Sequence, residues 1–323
     1  MKAIRIEKTG GPEVLELRDI ELAPPGPREA RVRHTVIGVN FIDTYHRSGL
    51  YPAPLPIGIG LEAAGVVEAA GANVTHVKAG DRVAYCSGPL GAYAEANNVP
   101  ADRLVKLPAN VSDEIAAAAL LKGTTAQYLL KRTFAVKPGQ TILFHSAAGG
   151  VGLIACQWAK HLGAIVIGTV GSDSKFALAK ENGCAHVLNI EKENWVGRVR
   201  ELTKGEGVPV VYDSVGKDTW SDSLDCLAIR GMMVSFGNSS GPVADFAPGI
   251  LTAKGSLYLT RPSLMHYTRT PQELQETADD LFAVLASGVV KVQVNQHFKL
   301  ADARAAHEAL HSRKTTGATV LIP

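Results

Sequence analysis

From Thr141 onward, short apolar runs alternate with segments of helical periodicity. Thr141–His145 reads as a strand, and Val151–Leu162 as a helix whose apolar Val151, Ile154, Ala155, Trp158 and Leu162 recur at helical spacing. Ala164–Val170, His186–Leu188, Val208–Tyr212, Gly231–Phe236 and Ser256–Thr260 repeat the strand pattern, and Ser174–Glu181, Trp195–Leu202 and Asp218–Ala228 are the helices between. This rhythm predicts a parallel sheet with helices on both faces. Before Val111 the pattern is different: Ala30–Val39, Gly65–Ala70 and Arg82–Tyr85 read as strands, punctuated by Gly10-Gly11-Pro12, Pro24-Pro25-Gly26-Pro27, Pro52–Pro56 and Gly80-Asp81. Ser112–Leu121 opens a helix with Ser112 as N-cap, and Thr125–Arg132 continues it. After Ser256–Thr260 the rhythm breaks. Pro271–Ser287 is a long helix opening on Thr270-Pro271, followed by a strand near Val292–His297, a helix Asp302–Ser312 and a strand Ala318–Ile322. These tail strands are candidates to rejoin the first, mostly β, part of the chain.

At 323 residues with 46% hydrophobic content, the chain is long enough for two cores. Its 33 Lys and Arg against 31 Asp and Glu give a net charge of +2, which makes no electrostatic case for nucleic acid or a membrane surface as partner. MKAIRIEKTGG alternates apolar and charged residues and lacks the apolar centre of a signal peptide, and no run is long enough to span a bilayer. Cys86, Cys156, Cys184 and Cys226 are scattered, which fits neither a disulfide framework nor a zinc knuckle but suits buried thiols in a cytoplasmic protein.

The strongest local signal is Phe144-His145-Ser146-Ala147-Ala148-Gly149-Gly150-Val151-Gly152, which follows a strand and opens a helix. Gly149 and Gly152 occupy the second and third glycine positions of the dinucleotide fingerprint, and Ala147 stands at the first. Gly149 would let the backbone approach a pyrophosphate, Gly152 would let the helix pack on the strand, and the helix N-terminus would offer free N–H groups. The next strand ends Thr169-Val170-Gly171 without the Asp or Glu that reads an adenosine 2′-hydroxyl, whereas Ser172 and Lys175 can meet a 2′-phosphate. NADPH is therefore the expected cofactor. Asp173 conflicts with that reading, because a carboxylate beside the phosphate would repel it.

Asn40–Tyr45 (NFIDTY), Gly49–Pro52 (GLYP), Gly60–Val66 (GLEAAGV), Ala147–Gly152 (AAGGVG), Tyr212–Gly216 (YDSVG) and Phe236–Ser240 (FGNSS) occur in this order. Together they resemble the zeta-crystallin-like NADPH:quinone oxidoreductases of the medium-chain dehydrogenase/reductase superfamily, from Met1 to Pro323. The resemblance implies an α/β fold in which a Rossmann doubly wound parallel sheet (residues 126–264) is inserted into a GroES-like, mostly β catalytic domain (residues 1–125 plus 265–323). It implies a cleft where nicotinamide and substrate meet, and a homodimer paired through Rossmann edge strands, with Ser256–Thr260 as the candidate edge. It places Phe41, Ile42, Thr44, Tyr45 and Tyr128 near the nicotinamide half, and Gly150 and Val151, with Gly149 and Gly152, at the pyrophosphate. Gly171, Ser172 and Lys175 would surround the 2′-phosphate, Phe236, Gly237, Asn238 and Ser239 the nicotinamide riboside, and Pro262, Ser263 and Leu264 would close over the cofactor. Arg313 would add positive charge. Ile190 departs from the pattern, since relatives often carry a tyrosine there.

Zinc-dependent members use an early Cys, a Gly-His-Glu step and a later Cys or acid. Here Asn40, Leu61-Glu62 and Leu120-Leu121-Lys122-Gly123 stand at those places, and the single carboxylate Glu62 cannot supply the three ligands of a catalytic zinc. The expected chemistry is zinc-independent transfer of a hydride or electrons from NADPH to a quinone, in which positioning is the main task and a developing oxyanion wants a donor. Asn40, Tyr45 and Tyr51 are the candidates for substrate positioning, and Asp43 orients their loop. Two alternatives stand beside it: reduction of α,β-unsaturated aldehydes or ketones, which has the same requirements, and a non-catalytic protein binding NADPH or AU-rich RNA.

Overall fold

The computed structural model describes every residue except Arg313. The chain divides into two compact units. The second comprises residues 125–267 and 287–291, the first the remainder.

The second unit is built on six parallel strands: β1 Thr141–Phe144, β2 Ile165–Val170, β3 Cys184–Asn189, β4 Val208–Asp213, β5 Leu227–Ser235 and β6 Tyr258–Thr260. Their spatial order is β3-β2-β1-β4-β5-β6, all pairs parallel. Order 3-2-1-4-5-6 is that of dinucleotide-binding doubly wound sheets, and it reverses between β1 and β4. The centre of the sheet reads as continuous Val/Ile/Leu because both faces are covered: Leu143, Ile167, Val208, Val211 and Met233 share one core with Trp195, Val199 and Leu224. β5 begins earlier than its apolar pattern suggests, at Leu227, and the helix before it shortens to Trp220–Asp225.

The first unit carries a seven-stranded sheet. Its long strand Glu29–Val39 pairs antiparallel with Glu62–Ala70, Ala96–Pro100 and the C-terminal Ala318–Ile322, so the tail strand does return to the N-terminal sheet. Glu29–Val39 buries alternate side chains until Val36 and every one from there to Val39, where the sheet is covered on both sides. The helix Pro271–Ala286 starts where Thr270-Pro271 predicts: Glu273 N–H donates to Thr270 Oγ1 at 3.2 Å and Thr270 N–H to Glu273 Oε2 at 3.1 Å. No helix among the described residues is long and apolar enough to cross a membrane. All four cysteines are free and buried. Though far apart in sequence, Cys156 and Cys184 hydrogen-bond to each other, which with burial pushes the Cys156 thiol well up.

Candidate active site

In the second unit the expected cofactor residues gather at the carboxyl ends of the strands, where ligands of doubly wound sheets bind. The turn after β1 places Ser146 at φ 55° and ties Ala147 N–H to Thr169 O at 2.9 Å. Gly149 caps the helix Gly150–His161, leaving its first N–H groups free to face an anion. A Cβ on Gly152 would overlap Ser146 O and lie 2.8 Å from the Ala147 Cα and carbonyl carbon, so helix and turn touch through that glycine. On Gly149 it would lie 3.2 Å from Ser146 O, a tight contact with backbone but a looser one than at Gly152. Ala147 replaces the first fingerprint glycine because Gly168 on the neighbouring strand makes room: a Cβ there would be 2.7 Å from that of Ala147.

Gly171 lies open at the end of β2, with nothing near its absent Cβ. Ser172 Oγ lies 2.9 Å from Ser174 Oγ, and Lys175 is half-buried, its pKa lowered by desolvation. Asp173 has its own partners: Lys192 Nζ at 2.5 Å and Asn189 Nδ2 at 2.6 Å, which hold its carboxyl below the usual range. Ile190 is explained by packing, since it lies against the core around Trp195.

Buried Asp213, which the motif contained but whose part only the fold reveals, joins the segments after β4 and β5: its backbone carbonyl accepts the N–H groups of Phe236 and Gly237 at 2.7 and 3.3 Å, and its side chain ties the residues after β4. Its Oδ1 accepts from the N–H groups of Val215 and Gly216 at 2.7 and 3.0 Å, and its Oδ2 from Thr219 and Ser223 hydroxyls at 2.7 and 2.9 Å. Gly237 lies against Ser214 with no space for a Cβ, and Ser239 N–H donates to Ser214 O at 3.2 Å. Phe236, Gly237, Asn238 and Ser239 are thus held as one ledge beside the turn, with the Phe236 ring 5.7 Å from that of Phe144. Tyr128 is buried and stacks on Tyr267, rings 4.5 Å apart and 12° from parallel. Pro262, Ser263 and Leu264 are half-buried just past β6. Arg313 lies outside the described residues.

In the first unit Asn40 ends the long strand and caps a helix, Phe41–Ser48, that closes on Gly49 in the left-handed region at φ 84°. The helix carries Phe41, Ile42, Thr44 and Tyr45. Tyr51 folds back so that its ring meets Tyr45 edge-on at 5.2 Å, and its N–H donates to Tyr45 O at 3.1 Å. Asn40 is only 5% exposed. Its N–H donates to Asp43 Oδ2 at 2.8 Å, and its Nδ2 to Glu62 Oε2 at 2.8 Å, leaving one amide hydrogen for a ligand.

Two buried polar systems meet at Asn40. In the first, Arg47 Nη1 lies 3.0 Å from His307 Nδ1, His307 Nε2 is 3.1 Å from Tyr93 Oη, and Tyr93 Oη donates to Asp43 Oδ2 at 2.9 Å. Arginine can only donate, so Nδ1 accepts, the His307 proton sits on Nε2, and every bond points toward Asp43. Burial and the adjacent Arg47 lower the His307 pKa to about 3. Burial raises that of Asp43 to about 7, against the pull of the Asn40 N–H and Tyr93. Asp43 Oδ1 is buried without a hydrogen-bond partner. In the second system, Glu62 is fully buried and accepts the Leu121 N–H on Oε1 at 2.6 Å and the Lys122 ammonium on Oε2 at 3.3 Å. Gly38 admits this carboxylate, since a Cβ there would overlap Glu62 Oε2 and Ala117 O. At the positions where zinc-dependent relatives place metal ligands, this chain holds an amide and an ion pair. No three His, Cys, Asp or Glu side chains among the described residues are grouped to hold a metal.

Residues 26–109 match the alcohol dehydrogenase GroES-like domain, and residues 150–283 the zinc-binding dehydrogenase family. A quinone oxidoreductase of Pseudomonas aeruginosa is 57% identical over 323 residues, covering 100% of this chain and 99% of its own. The chain belongs to the zeta-crystallin-like quinone oxidoreductases of the medium-chain dehydrogenase/reductase superfamily. Within this family, the crystal structure of Escherichia coli quinone oxidoreductase complexed with NADPH superposes with a TM-score of 0.99 at 54% identity, covering 100% of both chains. A 2-haloacrylate reductase of Burkholderia sp. is 46% identical and covers 98% of this chain and 98% of its own.

Proposed function

We propose that this protein reduces quinones with NADPH, without zinc. The observation that carries the reading is the pairing of a complete phosphate-binding turn at Gly149–Gly152 with a former metal position filled by Asn40, Glu62 and Lys122. The residues fit NADPH. Gly149 starts the helix, Gly171 lies open at the end of β2, half-buried Lys175 follows four residues on, and Lys192 neutralises Asp173. Free N–H groups at the start of Gly150–His161 would hold the pyrophosphate, with Val151 and Gly152 setting the helix against the turn. Ser172 and Lys175 would hold the 2′-phosphate. Phe236, Gly237, Asn238 and Ser239 would orient the riboside, with Pro262, Ser263, Leu264 and Tyr128 around the rest of the cofactor. When bound, NADPH supplies a hydride from C4 of its nicotinamide. Asn40, Tyr45 and Tyr51, with Phe41, Ile42 and Thr44 beside them, would receive the flat acceptor and hydrogen-bond its carbonyl oxygen.

The same donors suit reduction of an activated C=C bond, and the 46% identity to a 2-haloacrylate reductase favours that as the second reading. Steady-state kinetics with NADPH and NADH against a panel of quinones, enones and 2-haloacrylate separates the two. A higher kcat/KM for quinones with NADPH is the expected result, and a clear preference for unsaturated carbonyl compounds or acids would overturn it. The proposal includes a cytoplasmic homodimer paired through β6. Tyr258 there is 60% exposed and Ile229 on the adjoining β5 78% exposed, an apolar pair on a bare sheet edge.

A further inference from the structure

The Lys122 side chain is 6% exposed and its ion-pair partner Glu62 0%. Among the described residues, the one hydrogen bond its ammonium makes is to Glu62 Oε2, at 3.3 Å. An ammonium has three donors, so two have no protein acceptor among the described residues, which is costly in so buried a side chain unless something else fills the place. The same Glu62 oxygen accepts Asn40 Nδ2 at 2.8 Å, so the Lys122 ammonium and the Asn40 amide nitrogen are neighbours on one carboxylate oxygen, each with hydrogens to spare. Asn40 is one of the first unit's candidate acceptor residues, which places Lys122 beside them.

We propose that the Lys122 ammonium is a catalytic group that, with the Asn40 amide, receives the negative charge developing on the acceptor's carbonyl oxygen. The inference rests on the proposed NADPH-dependent reduction. Hydride addition brings a proton and two electrons from the nicotinamide to the quinone, giving a hydroquinone monoanion and the oxidised cofactor. The monoanion then takes one proton from water. If a C=C bond is reduced instead, hydride goes to the β-carbon and the charge falls on the same oxygen as an enolate. A fixed cation beside that oxygen does what a Lewis acid does elsewhere in the superfamily, without metal ligands.

A merely structural Lys122 would serve only to neutralise Glu62. The double variant Glu62→Gln/Lys122→Met removes both charges, so no buried charge is left unpaired. If Lys122 acts on the acceptor, this variant binds NADPH as the wild type does, by fluorescence quenching, and loses about 10²-fold in kcat/KM for the acceptor. Lys122→Arg, which keeps the charge, restores part of that loss. A second readout needs no turnover: 4-nitrophenol titrated onto the wild type should bind as the coloured phenolate below its free pKa, and onto the double variant as the phenol. Equal turnover by wild type and double variant, equal phenolate fractions on both, or no phenolate on the wild type would each overturn the assignment. The wild-type titration decides even if the double variant does not fold. A wild type that fails to oxidise NADPH with any acceptor would instead overturn the functional reading beneath it.

Discussion

Replacing Asp43 with Asn should make the protein progressively more stable, relative to the wild type, as pH rises. Burial moves the Asp43 pKa from 3.8 to about 7. At about 1.4 kcal/mol per tenfold change in proton affinity, the folded state favours the protonated carboxyl by up to about 4 kcal/mol. The folded pKa is raised above the unfolded one. The associated stability is therefore fully present below about pH 4 and is lost as pH rises through 7, after which a charged carboxylate is held in the core. The charged and titratable groups around it are Tyr93, Lys122 and Glu62, with Arg47 and His307 further along the hydrogen-bond chain. Asn keeps the shape and an acceptor for the Asn40 N–H and Tyr93, but sets an unpaired NH₂ where Oδ1 now lies unpartnered. That adds a constant offset, so the slope against pH is the test and not the absolute value. His34 and His307, lowered to about 4 and about 3, act in the opposite sense. Their contribution is present above 6.5 and lost as pH falls, and it cancels between two proteins that both carry them. Urea unfolding should be followed by circular dichroism, because all three tryptophans, Trp158, Trp195 and Trp220, lie in the second unit. Between about pH 5 and pH 8 the stability difference should swing toward the variant by up to about 2.5 kcal/mol. Parallel curves for the two proteins would refute a protonated Asp43.

Gly152→Ala puts a methyl onto Ser146 O and should destabilise the turn by about 3 kcal/mol, with loss of NADPH binding by fluorescence titration. Wild-type affinity would show that helix and turn are not in contact there. Lys175→Ala should raise KM for NADPH by about tenfold while leaving that for NADH unchanged, the worth of one hydrogen bond to a charged group. Equal effects on both cofactors would remove Lys175 from the 2′-phosphate site. Lys192→Ala unmasks Asp173, but both side chains of that pair are solvent-exposed, so selectivity for NADPH should fall by no more than a few-fold. Tyr258→Asp places a charge on the bare edge of β6, and sedimentation velocity should then show monomers in place of the proposed homodimer.

What was legible in the sequence is what leaves a local trace. The βαβ rhythm, the Gly149–Gly152 turn and the Thr270-Pro271 helix start each depend on residues a few positions apart, and each stands where periodicity or capping chemistry puts it. The helix Phe41–Ser48 left no such trace. Its eight residues are too few for a clear period, and the buried Arg47 and Asp43 that violate an apolar pattern are satisfied through His307, 260 positions from Arg47. Taken alone, Asp173 conflicts with NADPH and Ile190 departs from the family pattern. In the fold Asp173 pairs with Lys192 and Ile190 packs on the Trp195 core, and neither partner follows from spacing. The alanine at the first fingerprint position needs Gly168 on another strand to make sense of it. Lys122 is the clearest case. In sequence, Leu120–Gly123 says only that a thiol is missing. In the fold, the residue that replaced it is a cation paired with a carboxylate 60 positions away. A metal site that has lost its ligands need not have lost its charge, and the search for the acceptor's partner belongs at the position where the ligand disappeared.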